Sequence, residues 1–335
     1  MSDPVFPKRA VTSHDVARHA GVSRAAVSRT FTPNASVSEE TRQKVIKAAN
    51  ELGYRVNYLA RSLINKRSDL VGVVAAGLDN PFRTMQIDHL TRGLLARDLR
   101  PILLPTSRSE DVTTFIRQLL QYSVSGVIVT SDAPPTELCE ECAGNGIPIV
   151  LINKGENIPL VDRVVNDDEV AARAAADYFF DAGCRRLAVM ASPHLSFTGR
   201  SRRQAFVTRA EELGAALEVI DVPVNDYKSG LEQGTALADS AAEALFCVND
   251  YMACGVIDAL ARLGRDRDRP GLRIIGHDDI PQAGWDAYRL TTFAQACDLQ
   301  TEAAIDFLES RIADPDLPAR LETTPVRLVE RKSAA

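Results

Sequence analysis

From Leu70 onward the chain repeats one alternation, a short apolar run followed by a helix-length amphipathic stretch. The runs fall at 70–74, 101–104, 126–129, 148–152, 186–190, 217–221, 244–248 and 273–275, with a last candidate at 325–330. Between most of them lie amphipathic stretches at 83–97, 110–121, 135–144, 168–182, 199–213, 229–242 and 249–263. Parallel strands need a crossover, and a crossover helix buries its apolar stripe on the sheet it bridges. More than eight such strands suit two sheets better than one, so the pattern predicts an α/β body of two parallel sheets with helices on both faces.

Ahead of residue 70 the pattern is all helical. Thr12 or Ser13 can cap a helix running to His19, and Gly21 breaks it. Ser23 caps a second helix that begins Arg24-Ala25-Ala26-Val27-Ser28-Arg29. Ser38 caps a third, with Glu39 and Glu40 in the first turn where the helix dipole favours acids, and Gly53 ends it. Two helices joined through Gly21-Val22-Ser23, with Ala17 allowing close approach and Val22 and Val27 locking the pair, fit a helix-turn-helix. In that motif the second helix presents its first residues to the DNA major groove. Residues 55–66 carry only a weak helical pattern (Leu59, Ala60, Leu63, Ile64) and read as a linker or hinge.

Charge divides at the same place. Residues 1–67 hold twelve Lys and Arg against five acids, a balance of +7, which leaves −13 on the remainder of a chain whose net charge is −6. A basic head on an acidic body points to a polyanion that meets the head alone; the bland alternative is a solvated charge bias. The longest apolar run, 70–78, is nine residues and contains two glycines, short of the ~18 needed to span a bilayer. The opening MSDPVFPKRAVTSHD lacks the apolar core of a secretory signal, so the chain is expected in the cytoplasm. Its cysteines (Cys139, Cys142, Cys184, Cys247, Cys254, Cys297) are then expected as reduced thiols. Cys139 and Cys142 form a lone C-x-x-C without a second pair or a His cluster, which reads as a helix face. The chain contains no G-x-S-x-G, G-x-x-x-x-G-K-[ST], H-E-x-x-H or G-x-G-x-x-G. Neither enzymatic chemistry nor a metal or cofactor is expected.

Three stretches, VTSHDVARHAGVSRAAVSRTF, ASVSEETRQKVIKAANELGYRVN and YLARSLINKRSDLVGVV, together resemble the lactose-repressor (LacI) family of transcription regulators, and the resemblance runs from Val11 to about Lys332. It implies a disordered N-terminus at 1–10, a helix-turn-helix DNA-binding domain at 11–56 and a hinge helix at 57–67. It also implies an effector-binding body at 68–332 with the type I periplasmic binding protein fold. Lobe 1 would span about 68–164 and 294–324, and lobe 2 about 165–293 and 325–332, with crossings near 164, 293 and 324.

The same resemblance assigns roles. Arg24 and Ala25 take the positions that meet base edges, Arg29 a further groove contact, and Thr12, Ser23 and Ser38 the phosphate grips. Asn57, Ala60 and Leu63 fall in the hinge helix, Leu63 at the position that wedges into the minor groove; Val56 replaces the family's usual proline. Phe82, Thr130, Asp167, Arg202, Asn249, Asp278 and Gln295 take effector-pocket positions, with Arg202 as an anion partner for a sugar or sugar acid. Asn225 lies where relatives place a stacking aromatic, with either Tyr227 as the replacement or a smaller ligand as the alternative. The expected partners are a near-palindromic double-stranded operator, a small effector and a second copy of the chain. A nucleobase, a sugar phosphate or a protein partner is the alternative control. A solute-binding protein or an enzyme is the rival from another class.

Overall fold

The computed structural model describes residues 11–32, 35–55, 68–106, 112–130, 136–155, 157–194, 196–264 and 271–335. They form two compact units, Met1–Ser68 and Asp69–Ala335. The hinge positions Asn57, Ala60 and Leu63, and the Val56 substitution, lie outside the described residues.

The first unit is a three-helix head: α1 (Ser13–Ala20), α2 (Arg24–Thr30) and α3 (Glu39–Leu52). Each start is fixed by a side-chain cap. Thr12 and Asp15 form a reciprocal capping box, the Ser23 oxygen accepts from the Ala26 amide, and the Ser38 oxygen accepts from the Thr41 amide. Gly21 adopts φ 67°, the left-handed conformation that lets α1 stop and α2 turn away within three residues. Val16, Ala17, Val27, Val45, Ala48 and Ala49 close a small core among the three helices.

The second unit holds two six-stranded sheets. The first contains β1 (Leu70–Ala76), β2 (Arg100–Thr106), β3 (Gly126–Val129), β4 (Ile149–Ile152), β5 (Asp162–Asn166) and β11 (Leu321–Thr324), in the order β11-β5-β4-β3-β1-β2 and parallel throughout. The second contains β6 (Arg186–Ala191), β7 (Ala216–Asp221), β8 (Ala244–Cys247), β9 (Arg273–Asp278), β10 (Thr291–Gln295) and β12 (Val326–Val329), in the order β12-β10-β9-β8-β6-β7, with only the β10–β12 pair antiparallel. The helices are α4 (Pro81–Ala96), α5 (Val112–Gln121), α6 (Thr136–Gly144), α7 (Asp168–Asp181), α8 (Phe197–Glu212), α9 (Tyr227–Leu237), α10 (Asp250–Arg262) and α11 (Cys297–Ala313).

Both faces of the first sheet are covered, as parallel sheets require. One side buries Leu90 and Leu94 of α4 with Ala304, Ile305 and Leu308 of α11. The other buries Ile116 and Leu119 of α5 with Leu138, Cys139 and Cys142 of α6. Burial pushes the Cys139 and Cys142 thiols up to about 12 and about 11, so both are protonated helix-face side chains at neutral pH. The second lobe has one large core around Phe179, Phe206 and Phe246. Phe82, at the start of α4 in the first lobe, packs into that same core.

The chain passes between lobes three times, after β5 at Asn166, after β10 at Gln295 and between β11 and β12 at Pro325. The first two crossings lie two residues beyond the positions suggested by the family resemblance, because both strands run on to meet their neighbours' carboxyl ends. Four elements escaped the apolar pattern: β5, β10, β11 and the 17-residue α11. Helix α11 escaped because its buried face includes Gln300, Thr301 and Arg311. The stretch 229–242 is helical only as far as Leu237.

Candidate functional site

On the head, Arg24, Ala25 and Arg29 are exposed on α2, while Val27 and Thr30 turn inward. Neither the Arg24 nor the Arg29 side chain has a hydrogen bond or ion pair among the described residues, whereas that of Arg42 is tied to the Thr30 carbonyl and to Glu39. Two unneutralised guanidinium groups therefore project from a short capped helix. Thr12, Ser23 and Ser38 sit at the three helix starts, where backbone amides point outward and favour anions.

In the body, strand order reverses beside β1 in one sheet and beside β6 in the other, the place where open parallel sheets leave a crevice at their carboxyl ends. A cavity of about 200 Å³ opens there between the lobes. That is below the ~300–1,000 Å³ of drug-sized sites, so it suits a small molecule. Phe82, Thr130, Arg202, Asn249, Asp278 and Gln295 all line it. Asp167 does not: it occupies the N-cap of α7 without making a cap hydrogen bond, and the next residue, Asp168, turns to Arg202 instead.

Three cleft residues, Asn153, Ser196 and Asp278, have positive φ values of 59°, 56° and 124°. Backbone strain in non-glycine residues persists only where surrounding contacts over-determine it, and it gathers at binding sites. Gly155 follows the cleft residues Asn153 and Lys154. A Cβ there would lie 2.1 Å from the Phe197 ring, so only glycine lets the loop after β4 pass beneath the start of α8.

The floor is a buried charge cluster. Arg202 Nε donates to Asp168 Oδ1 at 2.8 Å, and Nη1 donates to the Val248 carbonyl at 2.8 Å and to Asp278 Oδ1 at 3.3 Å. Burial opposes the charge on Arg202, but the Asp168 and Asp278 carboxylates outweigh it and hold its pKa above the ordinary value. Its charge is thus paired within the protein. Among the described residues its Nη2 makes no hydrogen bond, and neither does Asp278 Oδ2, so both face a ligand in the cleft. Gln295 Nε2 donates to Asp278 Oδ1 at 2.6 Å, so β9 and β10 hold that carboxylate together.

His277 lies fully buried beneath this cluster. Burial, and then the nearby Arg202 charge, push its pKa down, and its Nε2 has no hydrogen-bond partner among the described residues. Asp250, the first residue of α10, accepts from Thr292 Oγ1 at 2.5 Å and from the Ile280 amide at 3.0 Å. Burial, reinforced by the Asp278 charge, raises its pKa to about 8. His277, Asp278 and Asp279 diverge: the first points into the core, the second lines the cleft and the third pairs with Arg331.

Asn249 both caps α10, accepting from the Met252 amide, and donates to the Asn225 carbonyl while lining the cleft. Asn225 accepts from the Ser192 amide at 2.6 Å and serves as a polar strap. Tyr227 does not replace the missing aromatic, because its hydroxyl is bound to Asp258. Besides Phe82, the cleft is lined by Tyr251, on the first turn of α10 and packed against Tyr227. Sequence reasoning also passed over Asn153 and Lys154. Both follow β4 at its carboxyl end, the signal that identified Thr130 and Asn249.

Residues 12–57 match the lacI family of bacterial regulatory proteins, and residues 176–334 match a periplasmic binding protein-like domain. The chain is 31% identical over 295 residues to the HTH-type transcriptional regulator DegA of Bacillus subtilis (strain 168), covering 85% of this chain and 86% of that one. It is 30% identical over 336 residues to the ribose operon repressor of Escherichia coli (strain K12), covering 96% and 99%. A lac repressor dimer bound to operator and the anti-inducer ONPF shares its fold at a TM-score of 0.86 and 24% identity, over 98% of this chain and 100% of that chain.

Proposed function

Because the chain belongs to the lacI family of bacterial regulatory proteins, we propose that it is a sequence-specific DNA-binding repressor whose operator affinity is set by a small sugar-like molecule bound between the lobes. The observation that carries this reading is the joining, in one chain, of unpaired exposed arginines on a capped α2 with a small polar cleft of strained residues. In this reading residues 11–56 are the DNA-binding domain, 57–67 the hinge and 68–332 the effector body. The repressor acts as a homodimer on a near-palindromic operator, one head per half-site.

Arg24 is the sequence reader, since a guanidinium can make paired hydrogen bonds to guanine O6 and N7. Ala25 contacts a thymine methyl or leaves room for one, and Arg29 adds a groove contact. Thr12, Ser23 and Ser38 bring helix starts to phosphates. Asn57, Ala60 and Leu63 meet the operator through the hinge. In the cleft, Arg202 Nη2 and Asp278 Oδ2 supply a donor and an acceptor for ligand hydroxyls. Asn249, Thr130 and Gln295 add neutral polar groups, and Phe82 and Tyr251 form apolar walls. The name of the ribose operon repressor supports a carbohydrate-related role, and an arginine already paired with two carboxylates supports a hydroxyl-rich ligand.

The test begins with in vitro selection of duplexes by the purified protein, followed by fluorescence anisotropy on the enriched sequence. Arg24→Ala is expected to lower specific affinity by about 1–3 kcal/mol and to relax one base position per half-site. An equal loss on every sequence would make Arg24 a phosphate contact. Failure to enrich any sequence would overturn the reading.

A further inference from the structure

The three crossings end in side chains that bind one another. Asn166 is the last residue of β5, Gln295 the last of β10 and Thr324 the last of β11. The Asn166 amide nitrogen donates to Gln295 Oε1 and, at 3.1 Å, to Asn153 Oδ1. Its amide oxygen accepts from Gln300 Nε2 and, at 3.0 Å, from Thr324 Oγ1. Two donors and two acceptor sites are all a carboxamide has, so Asn166 is saturated. It is also 6% exposed, and Gln300 and Thr324 are 0% and 2% exposed, which keeps water from replacing these bonds.

The network has two arms. Gln300 accepts from Gln86 Nε2 at 2.9 Å, which anchors it to α4, the helix whose start carries Phe82. Gln295 donates to Asp278, which holds Arg202. A continuous chain of side-chain hydrogen bonds therefore runs from a first-lobe helix, through the meeting point of all three crossings, to the charged floor of the cleft. Apart from its Asp278–Arg202 end it is built of neutral amides and one hydroxyl.

We propose, resting on the reading of the cleft as an effector site, that Asn166 is a positioning residue that clasps the three crossings and thereby couples occupancy of the cleft to the angle between the lobes. A ligand that engages Arg202 and Asp278 bears on Gln295. Gln295 and Thr324 share Asn166, so the crossings shift together rather than one at a time. Two lobes joined by three independent linkers would sample many angles; three clasped linkers restrict them to few, which is what a two-state switch requires.

The test needs neither ligand nor DNA, so its failure leaves the effector reading intact. The full chain carrying Glu140→Cys on α6 and Glu211→Cys on α8 receives spin labels at both exposed positions, the six native cysteines being buried. Double electron–electron resonance then gives the distribution of distances between the lobes. Asn166→Ala is expected to broaden that distribution in folded protein. Thr324→Val removes only one of the four bonds to the Asn166 side chain, along with the hydroxyl's contact to the Val165 carbonyl, and is expected to broaden it less, which keeps the test decisive if Asn166→Ala does not fold. Asp258→Asn weakens tyrosine contacts away from the crossings and is expected to lower Tm without changing the distribution. A distribution unchanged in folded Asn166→Ala, or in Thr324→Val where only that variant folds, would reduce Asn166 to a structural residue and overturn the proposal.

Discussion

Each lobe of the body buries an arginine against aspartate, one carboxylate in the first and two in the second, and the two sites differ in what they leave undone. In the first lobe Arg311 uses every donor it has: Nε and Nη2 hold Asp162 at 2.9 Å, and the carbonyls of Pro315, Leu317 and Pro318 take the rest. Arg320 completes Asp162 from the other side. Burial raises the Asp162 pKa, but the hydrogen bonds from Arg311 and Arg320 outweigh it and leave it below the ordinary value. In the second lobe Arg202 is as deeply buried, yet among the described residues its Nη2 makes no hydrogen bond, Asp278 has a strained backbone and His277 Nε2 has no hydrogen-bond partner. A saturated buried ion pair is a structural rivet. An unsaturated one facing a cavity is a site waiting for a partner.

Removing the rivet is expected to cost most. Arg311→Met leaves Asp162 buried with only Arg320, at an expected loss of about 3–5 kcal/mol in urea unfolding, nearer the lower value because Arg320 still pairs. A loss under ~1 kcal/mol, the worth of an exposed pair, would erase the distinction between the two sites.

The second test concerns the unsatisfied floor. The Asp250 pKa is raised from 3.8 to about 8, so its contribution to stability is fully present at low pH and is lost as pH rises through that window. Asp250→Asn is expected to flatten the fall in stability between those limits and to leave the variant more stable than the parent above pH 8. Thermal unfolding measured across pH decides it; an unaltered pH profile would mean that Asp250 is not held protonated.

The smallest effect belongs to a third pair of the same chemistry at the rim. Arg331 meets Asp279 at 2.7 Å with side chains 23% and 25% exposed. Asp279→Asn is expected to cost no more than ~1 kcal/mol. A cost like that of Arg311→Met would show that burial and saturation are not what grades these three pairs.

The sequence disclosed the parts of the molecule governed by local rules. Caps at Thr12, Ser23 and Ser38 announced the head, and the alternation after Leu70 announced the two sheets. It hid the parts governed by long-range pairing. Helix α11 went unread because Gln300 and Arg311 are polar yet buried, their partners Gln86 and Asp162 lying far away in the chain. Asp167 and Asp168 are adjacent carboxylates after one strand, and only the turn into α7 determines which reaches Arg202. Tyr227 and Tyr251 are likewise both aromatic and both near a helix start, and the Asp258 carboxylate takes one of them out of the cleft. That Arg202 arrives already neutralised is a property of three chain segments meeting, which spacing alone does not encode.

The central claim is that a ligand at the unsaturated arginine governs DNA binding by the head. The measurement is operator anisotropy on the selected duplex, with and without the carbohydrate that most raises Tm in a screen of sugars, sugar acids and sugar phosphates, for the parent chain and for Arg202→Lys. The variant keeps the positive charge between Asp168 and Asp278 but loses Nη2. The account expects the ligand to change operator affinity of the parent by at least about tenfold, an allosteric coupling of ~1.4 kcal/mol, and expects Arg202→Lys to bind the operator equally well while losing the response. Operator affinity of the parent that is the same with and without the ligand, or a variant that responds as the parent does, would contradict it.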